Sequence, residues 1–171
     1  MLKKLALGLV IVFVLLVVAF FCVGVFVPAV EYTTTIEINK PRDVTWQVMR
    51  DRKDWIYGFK SFEQISGEPN QPGSKARVTV VRDGRETVFD TELLEIRPPE
   101  YSVNRLSNDM LTHDATVRLT ETDGKTTIVS NEKLLGKNAF WRSIFAIFKG
   151  MIVETSHKNF DGLKKAVEST Q

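Results

Sequence analysis

Residues 75–97 read KARVTVVRDGRETVFDTELLEIR, and this stretch decides the fold. Ala76, Val78 and Val80 alternate with Arg77, Thr79 and Val81, the period of a half-buried strand. Asp83-Gly84 then supplies a two-residue hairpin turn, in which both central positions take positive φ. Glu86–Ile96 is the returning strand, and Pro98-Pro99 closes it. So short a connection permits only antiparallel pairing.

The same alternation continues on both sides. Tyr101–Leu106, Leu111–Thr120 and Thr126–Leu134 read as strands, with turns at Asn108-Asp109 and Asp123-Gly124. Upstream, Gly67–Gly73 is a loop rich in Pro and Gly, and Phe62–Ser66 is a short strand before it. Thr33–Asn39 is the first strand. Pro41 opens a short helix with Val44, Trp46, Val48 and Met49 on its apolar side, and Asp51–Phe59 reads as a helical turn plus loop. A long helical pattern ends the chain, from about Asn138 to Glu168, with Trp141, Phe145, Phe148, Ile152, Phe160, Leu163 and Val167 at helical spacing. Gly150 and Gly162 are its candidate bends. The expected class is α+β: a curved antiparallel sheet of about six or seven strands wrapped on one long C-terminal helix. Two short helices close one end, and space remains between helix and sheet.

Ahead of this domain, Leu5–Val27 is a run of 23 residues without a charge. A bilayer core of ~30 Å needs about 20 helical residues, so the run is long enough to span it. The apolar core of a cleaved signal peptide is shorter, about 7–15 residues, which favours an uncleaved anchor over cleavage at Val27-Pro28-Ala29. The expected division is therefore 1–28 as a transmembrane anchor and 29–171 as the folded domain. Lys3 and Lys4 precede the run directly, and Glu31 is the first charge after it. This asymmetry places the N-terminus in the cytoplasm and the domain on the exterior or periplasmic side of the cell membrane, single-pass. Lys40 and Arg42 on the far side weaken the asymmetry.

The chain is 43% hydrophobic and 26% charged, with net charge +2. Of its 23 basic residues, all but Lys3 and Lys4 follow the run, where 21 acidic residues balance them. No cluster of basic residues with interleaved aromatics occurs, so no nucleic acid partner is expected. The one cysteine, Cys22, lies in the apolar run, which excludes an intrachain disulfide or a cysteine metal site. No metal, cofactor or recognisable catalytic motif is expected.

Several stretches carry a family resemblance. Ile36-Glu37-Ile38-Asn39-Lys40-Pro41-Arg42-Asp43-Val44-Thr45-Trp46 resembles the strand-to-helix opening of the START-like superfamily, also called the SRPBCC or polyketide cyclase/dehydrase group. Asp51 followed by Trp55, the Pro98-Pro99 turn within Glu95–Tyr101, and Phe160–Glu168 resemble its later features in the same order. The resemblance covers about Glu31 to Glu168. It implies a helix-grip fold with an internal hydrophobic cavity. It also implies activities ranging over lipid binding or transfer, aromatic polyketide cyclisation and partner binding.

Candidate cavity residues follow from strand parity and helix spacing: Val78, Val80, Phe89, Tyr101, Arg105, His113, Val117, Phe145, Phe148 and Ile152. His113 shares parity with Ala115, Val117 and Leu119, against a partly exposed histidine near the Asn108-Asp109 turn. Arg105 shares parity with Tyr101 and Val103; the opposite set, Ser102, Asn104 and Leu106, is nearly as plausible an inner face. His157 reads as a solvated surface residue. Phe140–Val153 contains Arg142 and Lys149 and is too short to span a bilayer, so it reads as a soluble helix with an apolar patch near the membrane.

The expected function is a membrane-anchored domain that binds a hydrophobic small molecule or lipid in the cavity, with residues 5–27 in the membrane. The alternatives are a tethered protein-interaction module with no identified partner, and a cyclase or dehydratase with His113, Arg105 or Tyr101 as its polar groups.

Overall fold

A computed structural model describes residues 2–170. Helix α1 (Leu2–Phe26) is followed by β1 (Ala29–Ile38), α2 (Arg42–Asp51) and six consecutive strands. These are β2 (Phe59–Ser66), β3 (Lys75–Arg82), β4 (Arg85–Arg97), β5 (Tyr101–Ser107), β6 (Leu111–Thr122) and β7 (Lys125–Gly136). Two helices close the chain, α3 (Ala139–Ile147) and α4 (Lys149–Glu168). One antiparallel sheet has the order β1-β7-β6-β5-β4-β3-β2. The meander therefore runs from one edge to its neighbour at the other, and β1 pairs with the last strand. This is the helix-grip arrangement expected from the sequence.

The hairpin turns form as their residues dictate. Asp83 and Gly84 take φ of 49° and 72°, and Asp123 and Gly124 take 53° and 71°. These left-handed pairs match the twist of the flanking strands. The outer face carries its charges in cross-strand pairs: Arg77 opposite Asp90, Arg105 opposite Asp114, Lys133 opposite Glu31. Strand register thus sets opposite charges side by side on this face.

Three elements differ from the sequence expectation. Strand β1 begins at Ala29, so only Val27 and Pro28 separate it from α1. Between β1 and β2 one helix forms rather than two; residues 52–58 are extended and turn structure. The long C-terminal helix is two helices. The break falls at Phe148 (φ −98°, ψ 24°), not at Gly150 or Gly162. Asn138 starts α3 by accepting a hydrogen bond from the Trp141 N–H on its side chain.

The packed core occupies the end of the domain far from α1. Ile38, Trp46, Val48, Met49, Val117, Leu119, Ile128, Phe160, Leu163, Ala166 and Val167 form one buried cluster between the sheet, α2 and the second half of α4. Ile38, Ile128, Leu163 and Val167 are fully buried. Asn39 donates to the Glu168 carboxylate through its backbone and side-chain nitrogens, tying α4's end to that of β1. Lys149, at the start of α4, donates to the Glu31 carbonyl. Helix α4 thus runs from the α1 end of β1 to the far end.

Helix α1 is long and apolar enough to be a membrane span or a signal sequence. Most of its length is exposed, but its last two turns pack across α3. Gly24 makes this contact possible. A Cβ there would collide with the Ala139 carbonyl oxygen and lie 2.6 Å from Ser143 Oγ. Ser143 is fully buried, and its hydroxyl donates to the carbonyl oxygens of Phe20 (2.5 Å) and Ala139 (3.0 Å). The Phe20 and Phe140 rings lie 5.7 Å apart.

Candidate functional site

Strand register identifies the inner face. Ile128 and Leu134 on β7 are buried at one parity, so Thr126, Ser130 and Glu132 point inward with them. Across β6 the same face carries Leu111, His113, Ala115, Val117 and Leu119. On β5 it carries Ser102, Asn104 and Leu106, and on β4 it carries Phe89, Thr91 and Leu93. On β1 it carries Val30, Tyr32, Thr34 and Ile38.

The half of this face nearer α1 holds a polar cluster around Glu132. Glu132 is 7% exposed. Its Oε2 accepts from the Tyr32 hydroxyl at 2.8 Å, and its Oε1 accepts from Ser156 Oγ at 2.7 Å. Thr34 Oγ1 lies 3.1 Å from the Ser156 hydroxyl. His113 Nε2 stands 2.9 Å from Glu132 Oε2 but off the line of its own N–H, leaving that buried nitrogen without a formed hydrogen bond. The Tyr32 and His113 rings are stacked, with centroids 6.5 Å apart. Ser130, the next inward position on β7, is buried with its hydroxyl unpartnered.

These contacts set the charge states. Burial pushes the Glu132 carboxyl pKa up, but neighbouring His113 and the Ser156 and Tyr32 hydroxyls outweigh it and hold the group below its ordinary range. Burial, followed by the adjacent Glu132 charge, drives the Tyr32 phenol well above its ordinary value. The site is a buried carboxylate ringed by donors, with a histidine at its open side. His113 keeps 18% of its side chain accessible, against 6% for Glu132. Among the described residues, no three His, Cys, Asp or Glu side chains are grouped to hold a metal ion.

The surrounding inner face is not filled. Phe89, Thr91, Asn104, Leu106, His113 and Ala115 point inward yet keep part of their surface accessible. Ile152, four residues before Ser156 on the same side of α4, is also half-buried. The surface they leave accessible on the sheet face toward α4 is apolar apart from Thr91, Asn104 and the Glu132 cluster.

The structure sorts the residues singled out in the sequence. Phe89 and His113 lie on the inner face of the sheet and Ile152 on α4, each partly accessible. Val78 and Val80 are buried on the inner face of β3, and Val117 belongs to the packed core. Tyr101 and Arg105 are corrected: both lie on the outer face. Tyr101 is sandwiched between the guanidinium groups of Arg97 and Arg118. Arg105 forms a two-pronged pair with Asp114 at 2.6 and 2.7 Å. The inner positions of β5 are Ser102, Asn104 and Leu106, because these face Val117, Ala115 and His113 across the ladder. Phe145 stacks on Trp141 within α3, and Phe148 is 48% exposed at the α3–α4 corner. His157 is exposed on α4, as its position on the charged side suggested. Tyr32, Thr34, Glu132 and Ser156 were not expected. Two signals point to them: the parity of Glu132 with Ile128 on β7, and the place of Ser156 between Ile152 and Phe160 on the apolar face of α4.

No family model matches the chain, and no curated protein sequence does. Solved structures do. Ara h 8.0201 superposes with a TM-score of 0.67 at 16% identity, covering 83% of this chain and 99% of that one. The ZhuI aromatase/cyclase of Streptomyces sp. R1128 gives 0.68 at 12% identity, over 82% of this chain and 94% of the other. A protein from Thermus thermophilus gives 0.67 at 14% identity, over 81% and 97%. At these identities the likeness is one of fold. Residues 29–170 have the helix-grip fold of these structures.

Proposed function

We propose that this chain is a membrane-tethered domain that takes a hydrophobic small molecule or lipid into the concavity between its sheet and α4. One observation carries this reading: inward-facing apolar side chains keep accessible surface around a single buried polar cluster. An apolar wall with a few convergent polar groups is the usual form of a small-molecule site. Phe89, Leu106, Ile152 and the stem of the β3 face would hold the apolar body. His113 and Glu132 would fix a polar head. Residues 1–28 form the anchor and 29–171 the binding domain, with the N-terminus cytoplasmic and the domain on the opposite side. The docking of α1 on α3 through Gly24 and Ser143 supports a retained helix, since cleavage would expose a fully buried serine.

Mass spectrometry of full-length protein in lipid nanodiscs tests this. An apolar species should remain with the protein after gentle delipidation, and His113→Ala should change which species is retained. Recovery of none, together with a concavity that admits no added lipid probe, would overturn the reading.

A second reading, proton transfer on the bound molecule, is favoured by the accessible His113 backed by a buried carboxylate. A carboxylate beside an imidazole can orient the ring for proton transfer. An aromatase/cyclase is among the proteins of the same fold. Loss of turnover in both His113→Ala and Glu132→Gln, with ligand retention intact, would establish it over simple binding.

A further inference from the structure

We infer that α3 and the α3–α4 corner form a second membrane-embedded element, packed against the end of α1 in the leaflet nearer the domain. The inference rests on α1 being a membrane span. The depth comes from contacts. Ser143 bonds the Phe20 carbonyl, Phe140 packs on the Phe20 ring, and Ala139 abuts Gly24. Phe20 lies six residues before the end of α1, or about 9 Å below it at 1.5 Å per residue. Gly24 lies about 3 Å below it by the same measure. A helix touching these positions is submerged once α1 crosses the bilayer. Its depth matches that of interfacial helices, whose apolar faces sink ~5–10 Å.

The surface chemistry agrees. Phe140, Ile147, Phe148 and Met151 are 44%, 54%, 48% and 65% exposed; Phe140 packs on Phe20, and Ile147 shares a crevice with Val23 and Val27 of α1. In water this would be a costly patch beside an already apolar helix. A mostly apolar crevice of about 300 Å³ between Val23, Val27, Val30, Ala146 and Ile147 opens beside them, with Glu31 and Lys149 also in its lining. The one charge within α3, Arg142, is turned to the domain, where its Nε donates to the Gly136 carbonyl. Lys149 at the corner has its ammonium on the Glu31 carbonyl, just past the end of α1. The leaflet, rather than a protein partner, is the occupant because the patch is continuous with the span and shares its depth.

The test uses full-length protein with Cys22→Ser and single cysteines at Ile147, Phe148 or Met151, each labelled with an environment-sensitive dye. Leu15→Cys reports the span and Glu63→Cys the aqueous domain. The proteins are placed in phosphatidylcholine vesicles carrying a nitroxide on the upper acyl chain. Dyes at 147, 148 and 151 should be blue-shifted and quenched several-fold more than the dye at 63, with the dye at 15 shielded from water-soluble quencher. If the dye at 15 is shielded but those at 147, 148 and 151 behave like the dye at 63, the embedded α3 is refuted and the anchor stands. If the dye at 15 is itself open to water, the anchor reading falls and this inference falls with it.

Discussion

Replacing Glu132 is the most direct probe of the polar cluster. Its carboxylate accepts two hydrogen bonds, from Tyr32 at 2.8 Å and Ser156 at 2.7 Å, and holds His113 at 2.9 Å. Hydrogen bonds to a charged acceptor contribute about 1.5–3 kcal/mol each. Glu132→Ala removes both and leaves two buried hydroxyls and an imidazole facing a void. The expected loss is about 3–5 kcal/mol, the range for breaking a buried charge cluster from one side. Glu132→Gln keeps one acceptor oxygen but turns an NH2 toward the other donor, so about 1.5–3 kcal/mol is expected. Tyr32→Phe removes a single donor and should lose about 1–2 kcal/mol. Urea unfolding of the full chain in nanodiscs, followed by tryptophan fluorescence, measures all three. A Glu132→Ala loss below about 1 kcal/mol would refute the reasoning, because the carboxylate would then be hydrated rather than satisfied by its neighbours.

Four further outcomes follow from the same geometry. The Glu132 pKa is lowered by folding from its ordinary 4.5, so the unfolded chain binds the proton more readily. Its contribution is therefore complete above that value and is lost as pH falls through the folded pKa; acid unfolding curves of wild type and Glu132→Gln should converge below pH 4.5. Arg105→Ala, which removes an outward pair with a side chain 43% exposed, should change stability by less than about 1 kcal/mol in the same urea assay. Leu163→Ala, at a fully buried position of the far core, should cost about 2–5 kcal/mol there. Gly24→Leu should force α1 off α3 and cost about 1–3 kcal/mol, while membrane retention after alkaline extraction stays unchanged.

The strands are legible in the sequence because their signals are local. Asp83-Gly84 and Asp123-Gly124 fix two hairpins, and alternation marks β3 to its ends. The helix break is not legible, because a 3.6-residue apolar period runs straight through Phe148. The helix before the break packs on α1, more than a hundred residues away, a contact no local window contains. Strand β1 extends back to Ala29 for a related reason: Ala29 and Val30 pair with Leu135 and Leu134, a partner strand no local window contains. The site was half legible. His113 follows from parity with Val117 and Leu119. Arg105 misled because β5 carries mixed residues at both parities, and only its pairing with β6 decides which face is inward. Glu132 looks like one more surface charge until β7 is placed between β1 and β6.

The interior divides along the axis of α4, and the division bears on function. Far from α1, Ile38, Ile128, Leu163 and Val167 are packed without accessible surface and anchor the fold. Nearer α1, the same strands place Tyr32, Thr34, Glu132 and His113 where further apolar residues would pack more simply. A buried carboxylate needs every donor around it to offset its desolvation, so this half adds a hydrogen-bonded cluster to the packing of Val30, Leu111 and Leu134. The neighbouring Phe89, Leu106 and Ala115 meanwhile remain open. An apolar molecule entering this half can therefore reach surface that the protein leaves unfilled, without disturbing the core that keeps it folded. The polar cluster sits two residues along β1 from Val30, within reach of the helix end, so the unfilled half is also the one beside the proposed bilayer.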